Sequence, residues 1–326
     1  MIYARKFFNV FVLALMLNLV VLNLYKSQIN FEYTRTLISF NKFNPRPTIF
    51  CIILTNPKNF LNKTLVVNNT WAQECDEHKF ITVIPEYFLN ISQSLDEDTS
   101  FIRKDKPLEV SYPFNLFQPS NHTIESYHSL TSKMYKAYLD IYKIYPNYDW
   151  YLKADDDTYI FMDNLRDFLN EKKSSDRVTY GFNLKKFQSG GAGYVLSKKT
   201  LSLFGENMLK NGSFCRNTGS EDTDLASCLE KLNVTKGRTE DNLGRERFHP
   251  YDIKDNFEGK FYDWLYEQSI NPIKSGANSS SSSSISFHYM SPEQILRTHT
   301  AWKAYQKLKQ HNKNVDFHKL VLNKQL

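Results

Sequence analysis

The sequence predicts an α/β fold on an open, mostly parallel sheet, and three observations predict it. Residues 48–54 form a continuous apolar, β-branched run closed by Thr55-Asn56-Pro57, as suits a central strand and its turn. A helical stretch over 61–71 and a second strand over 79–84 follow, which begins a βαβ alternation. Farther on, residues 149–160 pass from an aromatic segment into Asp155, Asp156 and Asp157 and back to apolar residues. That is the pattern of a buried strand delivering carboxylates to its C-terminal end, where ligands bind in open α/β sheets. A chain of 326 residues, 41% hydrophobic and 15% aromatic, can bury a sizeable core, which excludes disorder as its overall state.

Taken in order, Arg5 and Lys6 precede an apolar run over 7–24, long enough to cross a bilayer and followed by no small-residue cleavage site. The positive-inside rule makes 1–6 a cytosolic tail and 7–24 a transmembrane signal anchor, with a stem over 25–44 and a lumenal domain over 45–326. A cleaved signal peptide is the alternative, and it leaves the lumenal address unchanged. Sequons at Asn62, Asn68, Asn90, Asn121, Asn211, Asn233 and Asn278 agree with that address. So do the four cysteines, Cys51, Cys75, Cys215 and Cys228, all beyond the anchor. Proximity in sequence suggests Cys51 with Cys75 and Cys215 with Cys228, among three pairings that the sequence allows. The net charge of +6 is spread out except for a basic segment over 303–324, and no motif there points to nucleic acid.

Residues 86–122 carry prolines and charges without a sustained period and are read as a long excursion. Leu130, Met134, Tyr138, Ile141 and Tyr145 recur at helical spacing and predict an amphipathic helix leading to the acidic strand. Lys133 and Lys136 fall on or beside its polar face, as solvated lysines or, alternatively, as pyrophosphate contacts. Beyond the acids come a helix over 162–170, a strand over 178–184, and Ser189-Gly190-Gly191-Ala192-Gly193, whose small residues let backbone approach a ligand before a further strand. Ser197 caps a helix over 198–209, and Ser220 a helix that begins with Glu221 and Asp222. After a polar stretch over 237–256 come the aromatic residues Phe261, Tyr262, Trp264 and Tyr266, then a flexible poly-serine loop over 278–284. A last strand over 285–290 carries His288, and Ser291, Pro292 and Gln294 start a final helix.

The chemistry lies with the acids. Three adjacent carboxylates between hydrophobic flanks repel one another unless a cation sits among them, and oxygen ligands suit Mg²⁺ or Mn²⁺. A solvated acidic turn is the alternative, disfavoured by Trp150, Tyr151, Leu152, Ile160, Phe161 and Met162 around it. Acids in the first turn of the helix at 221 serve capping and the helix dipole, or supply a general base that a helix N-terminus keeps ionised. His288 by itself reads as structural, with a metal ligand as the alternative.

Trp-Tyr-Leu-Lys-Ala-Asp-Asp-Asp-Thr-Tyr at 150–159, Ser-Gly-Gly-Ala-Gly-Tyr-Val-Leu-Ser at 189–197, Glu221-Asp222 and Ile-Ser-Phe-His-Tyr at 285–289 together resemble the core 1 β1,3-galactosyltransferases. Phe248-His249-Pro250 and residues 70–75 are similar to that family too, so the resemblance runs from about Pro45 to Pro292. It implies a single-pass type II Golgi membrane enzyme with a nucleotide-sugar-binding, GT-A-type, Rossmann-like domain. Its reaction would be inverting transfer of galactose from UDP-galactose to the 3-hydroxyl of O-linked GalNAc on Ser or Thr of glycoproteins. The resemblance assigns Mn²⁺ to Asp155, Asp157 and His288, and the catalytic base to Asp222. The donor side falls to Thr55, Lys133, Lys153, Asp156 and Gly191, the acceptor side to Glu221 and Trp264. A homodimer is a further family-level expectation.

Three departures stand out. Ala226 and Ser227 replace the Gly and Arg usual before the cysteine of the Glu-Asp helix, and poly-serine replaces an adjacent cysteine pair, removing a brace near the site. Tyr262 and Asp263 stand where the family tends to have Trp and Tyr. A fringe-like or other β1,3-glycosyltransferase, and a non-catalytic chaperone or lectin-like paralogue, are the competing readings.

Overall fold

The computed structural model describes residues 46–88, 105–111 and 113–310. The chain divides into two units, Met1–Arg46 and Pro47–Leu326, and the fold concerns the second. The expected anchor over 7–24 and stem over 25–44 lie outside the described residues, and among the described residues no helix is long and apolar enough to cross a membrane.

Strand β1, Ile49–Leu54, is the centre of an eight-stranded mixed sheet. It pairs in parallel with β2, Glu77–Ile81, on one side. Beyond β2 lie β3, Leu108–Val110, and β4, Leu116–Gln118, in the order β3-β4-β2. On the other side β1 pairs in parallel with β5, Trp150–Asp155. A two-residue strand, β6, Tyr159–Ile160, follows the acids, and β7, Val178–Gly181, and β8, Tyr194–Ser197, form a hairpin. Strand β8 runs antiparallel to β5, and β9, Thr235–Lys236, closes the far edge, so the sheet is mixed rather than uniformly parallel. The last two strands, β10, Phe248–His249, and β11, Ser286–Phe287, join β6 in a separate three-stranded sheet.

All six residues of β1 are buried, which is what its unbroken apolar run encodes. Ile49, Cys51 and Ile53 point into one core layer with Leu152, Leu165 and Leu169, while Phe50, Ile52 and Leu54 point into the other with Met134, Tyr138 and Phe204. The covering helices are α1, Leu65–Asn68, α2, Leu130–Ile144, α3, Met162–Asn170, α4, Lys198–Lys210, and α5, Glu221–Lys231. Two short helices, α6, Ile253–Glu258, and α7, Asp263–Gln268, precede α8, Pro292–Gln310. The Ser197 hydroxyl accepts from Thr200 N to cap α4, and Ser291 and Gln294 exchange bonds in a capping box for α8. Disulfides join Cys51 to Cys75 and Cys215 to Cys228.

Several expectations change. The helix expected over 61–71 is a succession of a 3-10 turn at Pro57–Asn59, a π-helical turn at Phe60–Thr64, α1 and another 3-10 turn at Trp71–Glu74. The described part of the excursion over 86–122 supplies β3 and β4 to the sheet edge. The strand expected over 178–184 stops at Gly181, where a Cβ would lie 2.9 Å from that of Tyr194. Ser220 stands at the N-cap of α5, yet its side chain makes no capping bond; the Asp222 Oδ1 accepts from Thr223 N instead. The poly-serine loop is ordered. Ser281 N donates to Glu246 O, Ser284 Oγ donates to Ser281 O and meets His249 Nε2 at 3.0 Å, and Arg247 Nε donates to Ser283 Oγ. Buried hydroxyls thus brace this loop.

Candidate active site

The acids at the end of β5 meet His288 because the small sheet brings them together. Strand β6, directly after the acidic loop, pairs antiparallel with β11, and Met290 N donates to Asp157 O at 2.9 Å. His288 follows β11 at once, its N–H shared between His249 O and Tyr251 O. Tyr289 holds φ at +55°, an uncommon backbone for a bulky residue, and stacks on the His288 ring at 3.8 Å between centroids. Such strain is concentrated at functional sites.

Asp155, Asp157 and His288 each offer one ligand atom, all within 4.8 Å of one another. His288 Nε2 lies 3.3 Å from Asp157 Oδ1 and 3.9 Å from Asp155 Oδ2. The second oxygen of each carboxylate faces a lysine: Asp155 Oδ1 is 2.7 Å from Lys153 Nζ, and Asp157 Oδ2 is 2.8 Å from Lys63 Nζ. Two carboxylate oxygens and an imidazole nitrogen converging from different elements are a donor set that fits a divalent cation. Burial opposes ionisation of Asp157, but His288 and Lys63 outweigh it and hold the carboxyl well below the usual range.

Asp156 turns the other way. Its Oδ2 accepts from Thr55 Oγ1 and from Asn59 Nδ2, both at 2.7 Å, and Thr55 Oγ1 is 2.6 Å from Thr64 Oγ1. Burial pushes the Asp156 carboxyl up to about 6, with these bonds opposing. Lys133 is buried rather than solvated, donating to Thr55 O at 2.7 Å and to both oxygens of Glu125 at 2.9 Å. Burial lowers its pKa and Glu125 works against that. Lys136 is half-buried and donates to Asn121 O. Thr55, Lys133, all three acids and His288 line one cleft of about 860 Å³, a size suited to a nucleotide-sugar. Asn56, Asn59 and Glu125 line it too. Sequence reading missed all three, since an isolated Asn or Glu carries no local pattern.

Gly190 and Gly191 lie between His288 and the start of α5. A Cβ on Gly191 would lie 2.0 Å from His288 Cε1, so only glycine lets the ring sit there. On Gly190 it would lie 3.3 Å from Glu221 Oε2 and 3.4 Å from Asp222 Cβ. The three acids of α5 have different employments. Asp224 is wholly buried and accepts from Thr131 Oγ1, Thr218 N and Thr218 Oγ1. Glu221 accepts from the Tyr194 hydroxyl, which is 2.5 Å from that of Tyr138, and burial pushes it up to about 7 against the Lys153 charge and the Tyr194 bond. It therefore lies beneath the glycines, 3% exposed, and not on an open acceptor surface. Asp222 is half-buried, 3.4 Å from Gly190 N through Oδ2, and lines a second cleft of about 820 Å³ with Ala226 and Ser227.

Lys153 is buried among these groups, donating to Gly190 O at 2.9 Å. Burial opposes its charge, but Asp155 and Glu221 outweigh that and raise its pKa. It and Gly191 are not among the residues that line the cleft of Thr55 and the three acids. Trp264 is 45% exposed at the start of α7, and Tyr262 beside it connects through Tyr251 to Tyr289, at centroid distances of 6.3 and 6.0 Å.

A family model described as galactosyltransferase matches residues 120–200, which hold α2, the acidic strand and the glycine loop. Over 257 residues the chain is 31% identical to the glycoprotein-N-acetylgalactosamine 3-beta-galactosyltransferase 1 of Xenopus laevis. The chain is thus similar to galactosyltransferases, and among them to a core 1 β1,3-galactosyltransferase. The match takes in 76% of this chain and 64% of that relative, so the chain spans less than two thirds of its length. Among solved structures, galactosyltransferase LgtC in complex with donor and acceptor sugar analogues is similar over 84% of this chain and 95% of that one, at 14% identity and a TM-score of 0.36. A glycosyltransferase involved in the glycosylation of the PBCV-1 major capsid is similar over 52% of this chain and 69% of that one, at 12% identity and a TM-score of 0.27. The fold gathers Lys153, Asp155, Glu221, Asp222 and His288, all singled out in the sequence, around Gly190 and Gly191.

Proposed function

We propose that this chain is an inverting galactosyltransferase that moves galactose from UDP-galactose to the 3-hydroxyl of O-linked GalNAc on Ser or Thr. We place it, with a GT-A-type domain, in the Golgi lumen behind an N-terminal anchor. The observation that carries the reading is the juxtaposition of Asp155, Asp157 and His288 with Asp222 across a two-glycine wall.

Asp155, Asp157 and His288 would hold Mn²⁺, which when bound offsets the diphosphate charge of the departing UDP. Thr55, Asp156 and Lys133 line the donor cleft and position the nucleotide. Asp222 accepts the proton of the acceptor hydroxyl as its oxygen forms the new bond to the galactose anomeric carbon. The bond from that carbon to the UDP oxygen breaks on the opposite face, which inverts the linkage. Glu221, Lys153 and Tyr194 fix the backbone on which Asp222 and the glycines sit. A non-catalytic paralogue would have no use for two carboxylates and an imidazole converging on one point, since like charges brought together are costly without a task.

The test is product analysis with the purified chain, Mn²⁺, a GalNAc-Ser/Thr glycopeptide and a panel of UDP-sugars. Galactose in β1,3 linkage, from UDP-galactose in preference to the others, is the expected result. Transfer of another sugar, or to another acceptor only, would replace this reading with the fringe-like one.

A further inference from the structure

We propose that Lys63 is a positioning residue for the cation site, anchoring one oxygen of Asp157 so that the other faces the metal; this rests on the cation reading above. The Asp157 carboxylate is divided: Oδ2 accepts from Lys63 Nζ at 2.8 Å, and Oδ1 turns to His288 Nε2 at 3.3 Å. Asp155 is divided in the same sense, Oδ1 to Lys153 Nζ and Oδ2 to His288. Each carboxylate thus presents a single oxygen to the place where His288 points. A carboxylate fixed at its outer oxygen cannot rotate to bind a cation through both, and outer partners of this kind set ligand orientation.

Lys63 differs from an adventitious surface ion pair in how its segment is held. It lies on the π-helical turn Phe60–Thr64, an irregularity frequent at functional sites. Both sides of that turn are tied to the acidic loop. Asn59 Nδ2 donates to Asp156 Oδ2, and Thr64 Oγ1 meets Thr55 Oγ1, which donates to the same Asp156 oxygen. The Lys63 side chain is 32% exposed, with its ammonium 4.0 Å from Asp156 Oδ1 as well. Its stem is therefore packed and its head directed at the acids from a fixed base.

The experiment is Mn²⁺ binding by the purified full chain, read from the electron paramagnetic resonance signal of free Mn²⁺ in the presence of UDP. Lys63→Met keeps the packed stem and removes the donor; Lys63→Arg keeps donor and charge. The expected result is a 10- to 100-fold weaker Mn²⁺ affinity for Lys63→Met, the span typical of lost outer-shell partners, recovered in large part by Lys63→Arg. Thermal midpoints of both variants should stay near that of the parent, which separates positioning from folding. Unchanged or tighter Mn²⁺ binding by Lys63→Met overturns the proposal, the tighter case marking Lys63 as a competitor for the site. A parent chain that binds no Mn²⁺ overturns the cation reading together with it.

Discussion

Replacing Gly191 with alanine adds one methyl group at the point where the two halves of the site meet. The added carbon would stand 2.0 Å from His288 Cε1, 2.3 Å from Nδ1 and 2.5 Å from Nε2. Carbon atoms in contact rest about 3.5–4.0 Å apart, so the ring must retreat by roughly 1.5 Å or rotate out of place. Metal sites tolerate errors of only about 0.2 Å in ligand distance, and a displacement of about 1 Å at a reacting centre costs on the order of 100-fold. His288 would cease to be a ligand. The assay is Mn²⁺ affinity in the presence of UDP, with transfer rate alongside, and the parallel variant is Gly212→Ala, whose new carbon meets nothing within 4 Å. Gly191→Ala should lose about 100-fold in both readouts, while Gly212→Ala matches the parent. If Gly191→Ala bound Mn²⁺ like the parent, His288 would not be a ligand and the reasoning from the glycine wall would fail.

Joint replacement of Cys51 and Cys75 by alanine frees a bridge between residues 24 apart, and should lower unfolding free energy by about 3 kcal/mol in a denaturant titration. Trp264→Ala removes an exposed ring, so the thermal midpoint should hardly move while the KM for glycopeptide rises several-fold; an unchanged KM would take Trp264 out of the acceptor site. Glu246 supplies a pH test away from the site. Burial, with the nearby Glu240 charge, pushes its carboxyl up to about 7 from 4.5, while Asn271 and Thr239 oppose by donating to it. The folded chain keeps this proton where the unfolded chain has lost it. Its contribution to stability is therefore full below 4.5 and declines as pH rises through about 7. Glu246→Gln should gain over the parent between pH 5 and pH 8, by roughly 1–3 kcal/mol. A constant difference between the variants would refute that assignment.

What the sequence reveals of this fold follows from the range of the interactions concerned. The apolar run of β1 and the helical periods of α2, α3 and α4 are written locally, and their observed bounds lie within a residue or so of those expected. Strands β3 and β4 have three residues each, too few to declare a period among prolines and charges. Lys133 looks solvated on its helix because nothing nearby in sequence announces Thr55 O or Glu125 as partners. Poly-serine reads as flexible by composition, but buried hydroxyls can satisfy one another and the neighbouring backbone, as Ser281 and Ser284 do. The candidate site shows the same division. Its acids and glycines are contiguous motifs, whereas Asn59, Lys63 and Glu125 are single residues whose meaning comes only from what lies across the loop. Glu221 and Asp222 are adjacent in sequence and yet part company, one buried on Tyr194 and the other beside Gly190.

The measurement that bears most directly on the central claim is UDP release by the parent chain and by Asp222→Asn, with UDP-galactose and GalNAc-Ser/Thr glycopeptide, with and without Mn²⁺. The amide cannot take a proton but occupies the same space. The account predicts release by the parent only with Mn²⁺ present, and a loss of about 100- to 10,000-fold in Asp222→Asn with UDP affinity kept. Turnover by Asp222→Asn near the parent rate, or release by the parent that is indifferent to Mn²⁺, would contradict it.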